Sequence, residues 1–331
     1  MKVLIGDSIN LSFWDDLLDK SVFASPFQTR DFLLFFQRCK NYDAEVFAVE
    51  DDGELLGLCV LTFQKESGIK GLFSRRAIIY GGPLIRGVAT SNALDLLLRS
   101  ITKFCKSRSI YIEIRNYFDY SLYKDTFYKN NFILKPWLNY QLPTSDIEYV
   151  KTSMSSSRLR QVKKATKLGV VWRIAESEAD ILSFYSILEN LYSTKVKKPL
   201  PPANLFTNFL NSGVGLFLLV YYNNRVIGGI MCPIYKNKAI YEFYVCGLDQ
   251  EYKEQYPSVM ATWAAIEYAY LNKIHFFDFM GAGQPDENYG VREFKARFGG
   301  NEVNYGRFIN ILNPFLYNLG KIGLNILKLL K

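Results

Sequence analysis

The residues best suited to chemistry lie between Phe276 and Gly300, in FFDFMGAGQPDENYGVREFKARFGG. An aromatic strand carries one acid, Asp278, into the turn Gly281-Ala282-Gly283. A polar loop follows, and then Phe294, Lys295 and Phe298 set a lone lysine between two rings. Glycines let backbone approach a ligand closely, and the rings shield the ammonium from water. Acyl transfer to an amine needs no covalent enzyme intermediate. It needs the amine held deprotonated near the carbonyl and a positive group facing the developing oxyanion. Lys295 is expected to supply that charge and Phe294 to shield it. Asp278, or Glu242 on the strand 239–246, is expected to orient the amine, although each carboxylate taken singly reads more readily as a structural hydrogen-bond acceptor. The same residues also fit a strand, a loop and an amphipathic turn with a solvated lysine. A functional Lys295 should lie at the floor of a cleft shared with Tyr241, Tyr244 or Gly281. His275 is the single histidine and reads as structural, so Ser-His-Asp and Cys-His arrangements have little support.

The elements that must position these residues occur twice. Val46 to Val60 (VFAVEDDGELLGLCV) aligns without a gap with Phe217 to Met231 (FLLVYYNNRVIGGIM). Each is an apolar strand, a turn, and a second strand entered through Leu56-Gly57 or Ile227-Gly228, which is a hairpin signature. Further on, Leu97 to Ile114 aligns with Thr262 to Phe279, an amphipathic helix leading into a strand, and pairs Glu113 with Asp278. Turn formers at Pro143-Thr144-Ser145-Asp146 suggest a boundary there. The predicted domains are 1–145 with about 306–331 returning to it, and 146–305. The tail 313–331 carries Phe315, Leu316, Leu319, Ile322, Ile326 and Leu329 at helical spacing. It is expected to pack back on the first domain or, alternatively, to lie as an interfacial helix on a membrane.

Hairpin, further strand, helix, strand is the order of a GNAT core, and these motifs together resemble the Fem family (FemAB). That family comprises the tandem GNAT-fold aminoacyltransferases that build peptidoglycan bridges from aminoacyl-tRNA. Ser25-Pro26-Phe27-Gln28-Thr29 is similar to its entry motif, Gly81-Gly82-Pro83 to its first-domain turn, and Arg158 to Gly169 to the start of its second domain. The block from Gly281 to Gly306, with Gly290, Phe294-Lys295 and Phe298-Gly299-Gly300, matches best. The resemblance implies an α/β (α+β) fold of two tandem GNAT-like domains. No room exists between Ala175 and Gly213 for the long helical arm of some members. It also implies an N-acyltransferase that uses aminoacyl-tRNA as donor co-substrate, with no permanently bound cofactor. The acceptor would be an amine of a nucleotide-linked or lipid-linked envelope precursor. The expected substrate-binding residues are Arg115, Thr194, Lys197, Tyr241, Glu242, Tyr244, Gly281, Gly283 and Arg292. The sequence departs from the family where an Asp-Pro is replaced by Arg115-Asn116, and where a Thr-x-Arg element appears only as Thr194-Lys195-Val196. Two other readings stay open. One is an acyl-CoA or acyl-carrier-dependent N-acyltransferase acting on an amino sugar, and the other is an inactive tandem GNAT binding module.

Acetyl-CoA enzymes of this fold cradle pyrophosphate on a glycine-rich turn at a helix N-terminus. The corresponding stretch here, Asp249 to Met260 (DQEYKEQYPSVM), has no glycine and carries Asp249, Glu251 and Glu254, so coenzyme A is disfavoured. The first-half counterpart, Arg86 to Thr90, is a degenerate echo. Net charge is +8, with Arg158, Arg160, Lys163, Lys164 and Lys167 within ten residues. Of these Arg158, Arg160, Lys163 and Lys164 are expected to touch tRNA or another phosphate. Five cysteines without a CxxC predict buried thiols in a reducing compartment, and a single histidine predicts no metal. The early polar residues argue against a signal peptide. The expected location is the cytoplasm, extending to the inner face of the membrane.

Overall fold

A computed structural model describes all residues except 67, 69, 70, 88–90, 330 and 331, and the side chains of 324–329. Val88 to Thr90 of the first-half turn therefore lie outside the described residues. The chain divides into two compact units, Met1–Pro136 with Tyr305–Lys331, and Trp137–Asn304. Strands are numbered in chain order: β1 Lys2–Ile5, β2 Tyr42–Asp51, β3 Glu54–Gln64, β4 Arg76–Gly81, β5 Leu84–Ile85, β6 Tyr111–Asn116 and β7 Ile133–Lys135, then β8 Asn139–Pro143, β9 Val171–Ile174, β10 Gly215–Tyr222, β11 Arg225–Tyr235, β12 Ala239–Tyr241, β13 Tyr244–Gly247, β14 Phe276–Asp278, β15 Asn301–Val303 and β16 Arg307–Ile311.

The two sheets have the same order. The first runs β1-β2-β3-β4-β6-β16-β7, with β5 also on β3. The second, read in the same sense, runs β9-β10-β11-β12-β14-β8-β15, with β13 also on β11. The matched hairpins pair Val46 with Val60 and Phe217 with Met231. Each slips register at one place, between Val49 and Glu50 and between Val220 and Tyr221, which are equivalent positions in the duplication. In each half a helix, Ser91–Cys105 or Pro257–Leu271, crosses to a parallel strand, β6 beside β4 or β14 beside β12. Both helices bury an apolar stripe in their own core, Leu94, Leu97, Leu98 and Ile101 in one and Ala261, Ala264, Ala265 and Ile266 in the other.

The change of unit falls at Pro136/Trp137, ahead of the expected 145/146. β8 follows β7 directly in the chain yet pairs with β14 and β15 of the second sheet. Conversely β16, from the returning tail, inserts between β6 and β7 of the first sheet. β8 and β16 are thus inner strands of the sheets of their own units, each close to a point where the chain changes unit. Between Ala175 and Gly213 the helices Glu178–Leu191 and Ala203–Leu210 are short, with no long arm. The second begins immediately after the prolines at 199–202. All five thiols are buried and outside any disulfide.

Candidate active site

The site is built where β12 and β14 part. They pair in parallel from Ala239 and Phe276 as far as Tyr241 and Asp278. Beyond that point the chain bulges at Glu242-Phe243, and β13 continues on β11 alone. β14 meanwhile turns into 279–283. The turn needs positive φ at Met280 (56°), Gly281 (118°) and Gly283 (82°), and the glycines supply two of these without strain. Every amide from 279 to 282 is engaged. Phe279 N–H donates to the Tyr140 carbonyl at 3.1 Å and Ala282 N–H to the Leu138 carbonyl at 2.6 Å. Met280 N–H donates to Asp278 Oδ1 at 2.7 Å and Gly281 N–H to Asn139 Oδ1 at 2.7 Å.

That turn aims two carbonyls at Lys295. Its Nζ donates to the Phe279 carbonyl at 2.5 Å and the Gly281 carbonyl at 2.9 Å, and forms an ion pair with Glu242 Oε1 at 3.0 Å. Lys295 is 7% exposed and Glu242 5%. The second oxygen of Glu242 accepts from Thr262 Oγ1 at 3.3 Å, and its amide donates to the Asp278 carbonyl. A buried charge must be paired and hydrogen-bonded, and these contacts meet that demand. The lysine is neither solvated nor free: it closes the gap between two diverging strands and holds the bulge to the turn.

Asp278 is 2% exposed. One oxygen accepts from Asn139 Nδ2 (2.8 Å) and Met280 N–H, the other from Gln141 Nε2 (2.9 Å). Burial pushes its carboxyl above the ordinary value, against the opposite pull of Gln141, Asn139, the Met280 amide and Lys295. With both oxygens engaged, Asp278 orients the turn, and the expectation that it holds the reacting amine is corrected. Glu242 is likewise committed, to Lys295. Arg292 also departs from its expected substrate-binding role: its guanidinium donates to the carbonyls of Ala282 (3.0 Å), Gln284 and Pro285 (3.0 Å) and so clamps the loop. Asn139, Gln141 and Thr262 went unnoticed in the sequence. The available signal is the i, i+2 pair of amides at Asn139 and Gln141, which lies on the first-domain side of the boundary expected at 145.

Tyr241 is buried at the end of β12, and Tyr244 opens β13, half-buried against the rings of Phe206 and Phe243. The Tyr192 ring lies 6.5 Å from Tyr244 and belongs to the turn Tyr192–Val196, on which Thr194 is exposed, followed by exposed Lys197. Gly283 packs under the Tyr289 ring. Arg158 is not a surface phosphate contact. It is 3% exposed, lies over the rings of Phe294 and Phe298 at 4.5 Å from each, and donates to the Phe294 carbonyl at 3.1 Å. Burial, with the nearby Arg297, lowers it to about 10. Arg160, Lys163 and Lys164 are exposed on the same helix, Lys164 paired with Glu254 at 2.5 Å. A cavity of about 470 Å³ lies beside Phe294, between Arg158, Asp249, Lys253, Ser258 and Arg297, and Lys295 does not line it. There the Asp249 carboxylate caps the helix Pro257–Leu271, accepting from Ser258 N–H at 3.0 Å and Ser258 Oγ at 2.5 Å.

In the first unit the equivalent interruption, Gly81-Gly82-Pro83 between β4 and β5, is plugged. Gln28 Nε2 donates to the Gly82 carbonyl at 2.5 Å, and Tyr120 OH to the Pro83 carbonyl at 2.7 Å. Arg115 is spent partly on Glu113 (3.2 Å), which also accepts from Arg307 at 2.6 Å.

Residues 155–295 match the family model of the acetyltransferase (GNAT) domain. Among solved structures the chain is similar over 96% of its length to FemX, at a TM-score of 0.72 and 14% identity, covering 99% of that chain. The architecture is a tandem GNAT fold. A tandem GNAT protein from the clavulanic acid biosynthesis pathway aligns with a TM-score of 0.58 and 8% identity, over 95% of this chain and 99% of that one. The C-terminal domain (DUF2156) of a protein from Agrobacterium fabrum, named a lysylphosphatidylglycerol synthetase, aligns at 0.60 and 8% identity, over 96% and 95%. No curated protein sequence matches the chain.

Proposed function

We propose that this tandem GNAT protein is an N-acyltransferase that moves an amino acid from aminoacyl-tRNA to an amine of a peptidoglycan precursor or related envelope substrate. Its second unit is the reacting half. The observation that carries the donor is the Asp249 cap. A GNAT helix that binds coenzyme A offers free N-terminal amides to pyrophosphate. Here the Ser258 amide and hydroxyl already face a carboxylate, and a pyrophosphate would have to displace one anion with another. A donor held by its own backbone phosphates, on the exposed Arg160 and Lys163 of the helix Ser156–Lys167, avoids that conflict.

In the proposed step the amine nitrogen attacks the ester carbonyl. The C–N bond forms, the ester C–O bond breaks, and the ribose hydroxyl leaves with a proton that the amine gives up. Lys295 stabilises the oxyanion with the N–H now given to the Gly281 carbonyl, the more exposed of its two carbonyl partners. Glu242 and the Phe279 carbonyl keep the ammonium aimed. Calorimetry tests the donor: charged tRNA should bind and coenzyme A should not. Micromolar coenzyme A binding would transfer support to an acyl-CoA enzyme acting on an amino sugar.

A further inference from the structure

We propose that the first unit carries a docking surface for an anionic lipid bilayer, formed jointly by the short helix Gly71–Ser74 and the C-terminal helix Pro314–Leu329. The proposal goes beyond the acyl-transfer reading and borrows nothing from its donor chemistry. The C-terminal helix is packed on one side only. Its Tyr317 ring meets Tyr111 edge-on at 5.4 Å, and Gly320 passes so close to the first helix that a Cβ there would stand 3.2 Å from the Phe73 carbonyl. At the 3.6-residue helical period, Phe315, Leu319 and Ile322 fall together on the opposite side. They are 76%, 41% and 56% exposed, and on the short helix, which meets the Gly320 side, Leu72 and Phe73 are 57% and 39% exposed. Five large apolar side chains exposed on two touching helices exceed the scattered apolar residues of an ordinary surface.

Charge decides what covers them. Residues 313–331 contain Lys321, Lys328 and Lys331 and no acid, and residues 65–76 contain Lys65, Lys70, Arg75 and Arg76 against Glu66 alone. A second copy on this face would bring like charges together. Anionic headgroups would instead neutralise them while the apolar side chains enter the acyl boundary, the pairing that holds interfacial helices.

Co-sedimentation of the full chain with phosphatidylglycerol/phosphatidylcholine vesicles, against pure phosphatidylcholine, tests this. The protein should pellet with the anionic vesicles only, and less so at high salt. Phe315→Glu with Ile322→Glu should cut the partition at least about tenfold. Leu72→Glu, on the other helix, should also lower it, and both variants should keep the wild-type melting temperature because the side chains are exposed. Three outcomes would overturn the proposal: wild type remaining in the supernatant, partition unchanged in both variants, or a wild-type dimer that the double variant dissociates. Vesicle binding requires no acyl donor, so its failure leaves the acyl-transfer reading standing, and the reverse also holds.

Discussion

Lys295 has a structural duty and, in the proposed reaction, a chemical one, and a single substitution confounds them. Lys295→Met strands the buried Glu242 carboxylate, and breaking such a pair costs about 3–5 kcal/mol. The variant should therefore unfold at much lower urea. Pairing it with Glu242→Gln removes both charges, and the double variant should regain most of that stability while turnover stays down by roughly two to three orders of magnitude. Full activity in the double variant would reduce the ion pair to scaffolding. Lys295 is buried, but not between the rings the sequence suggested: its ring neighbour is Phe279 at 5.9 Å, whereas Phe294 and Phe298 hold Arg158. Its acceptors were not legible in the sequence, because two are backbone carbonyls aimed by the positive φ of Met280 and Gly281, which residue types alone do not reveal. Glu113 in the first unit offers a second test at this scale. Burial pushes its carboxyl up, but Arg115 and Arg307 outweigh this and hold it at about 2, against an ordinary 4.5. A depressed folded value contributes stability in full above the unfolded value and loses it as pH falls towards 2, worth about 3 kcal/mol. Glu113→Gln should lower stability at neutral pH and flatten the decline across that window in urea titrations.

At the scale of elements, the N-terminus of the helix Pro257–Leu271 depends on two close fits. Asp249→Ala removes the cap and should cost about 1 kcal/mol, read as a lower midpoint of urea unfolding. Gly247, the last residue of β13, lets that strand touch the helix: a Cβ there would stand 2.4 Å from Ser258 N and 2.8 Å from Pro257. Gly247→Ala should push the helix off the strand and destabilise the second unit further than loss of the cap. The hairpins were readable because alternation and turn residues are local signals. The acids of 249–254 were readable as a charge effect, but the use of Asp249 as a cap depends on how the bend 248–256 folds back. The return of 306–331, which carries β16, was expected, but the place of β8 in the second sheet was hidden for a related reason. A strand's pattern shows that one face is apolar, not which sheet will cover it.

For the whole molecule, the second unit is inserted in the chain of the first. A chain ending at Asn304 lacks β16, the strand between β6 and β7, and buried Phe308 stacked on Phe127 at 3.9 Å. Its first sheet should be digested early in limited proteolysis, whereas a 137–304 fragment should resist, with all the strands of the second sheet present. The duplication also supports placing the proposed reaction in the second unit. Two sheets of equal order carry equivalent gaps, and Gln28 with Tyr120 plugs the first while the Lys295–Glu242 pair bridges the second. The central claim is that this second gap passes an aminoacyl group from tRNA to an envelope amine. It is tested most directly by incubating the protein and its Lys295→Met/Glu242→Gln variant with cell-envelope precursors and either charged tRNA or acetyl-CoA. Products are then separated by liquid chromatography with mass detection. The account predicts a precursor heavier by one amino-acid residue, formed only with charged tRNA and only by the unaltered protein. An acetylated product, or an aminoacylated one formed equally by the variant, would contradict it.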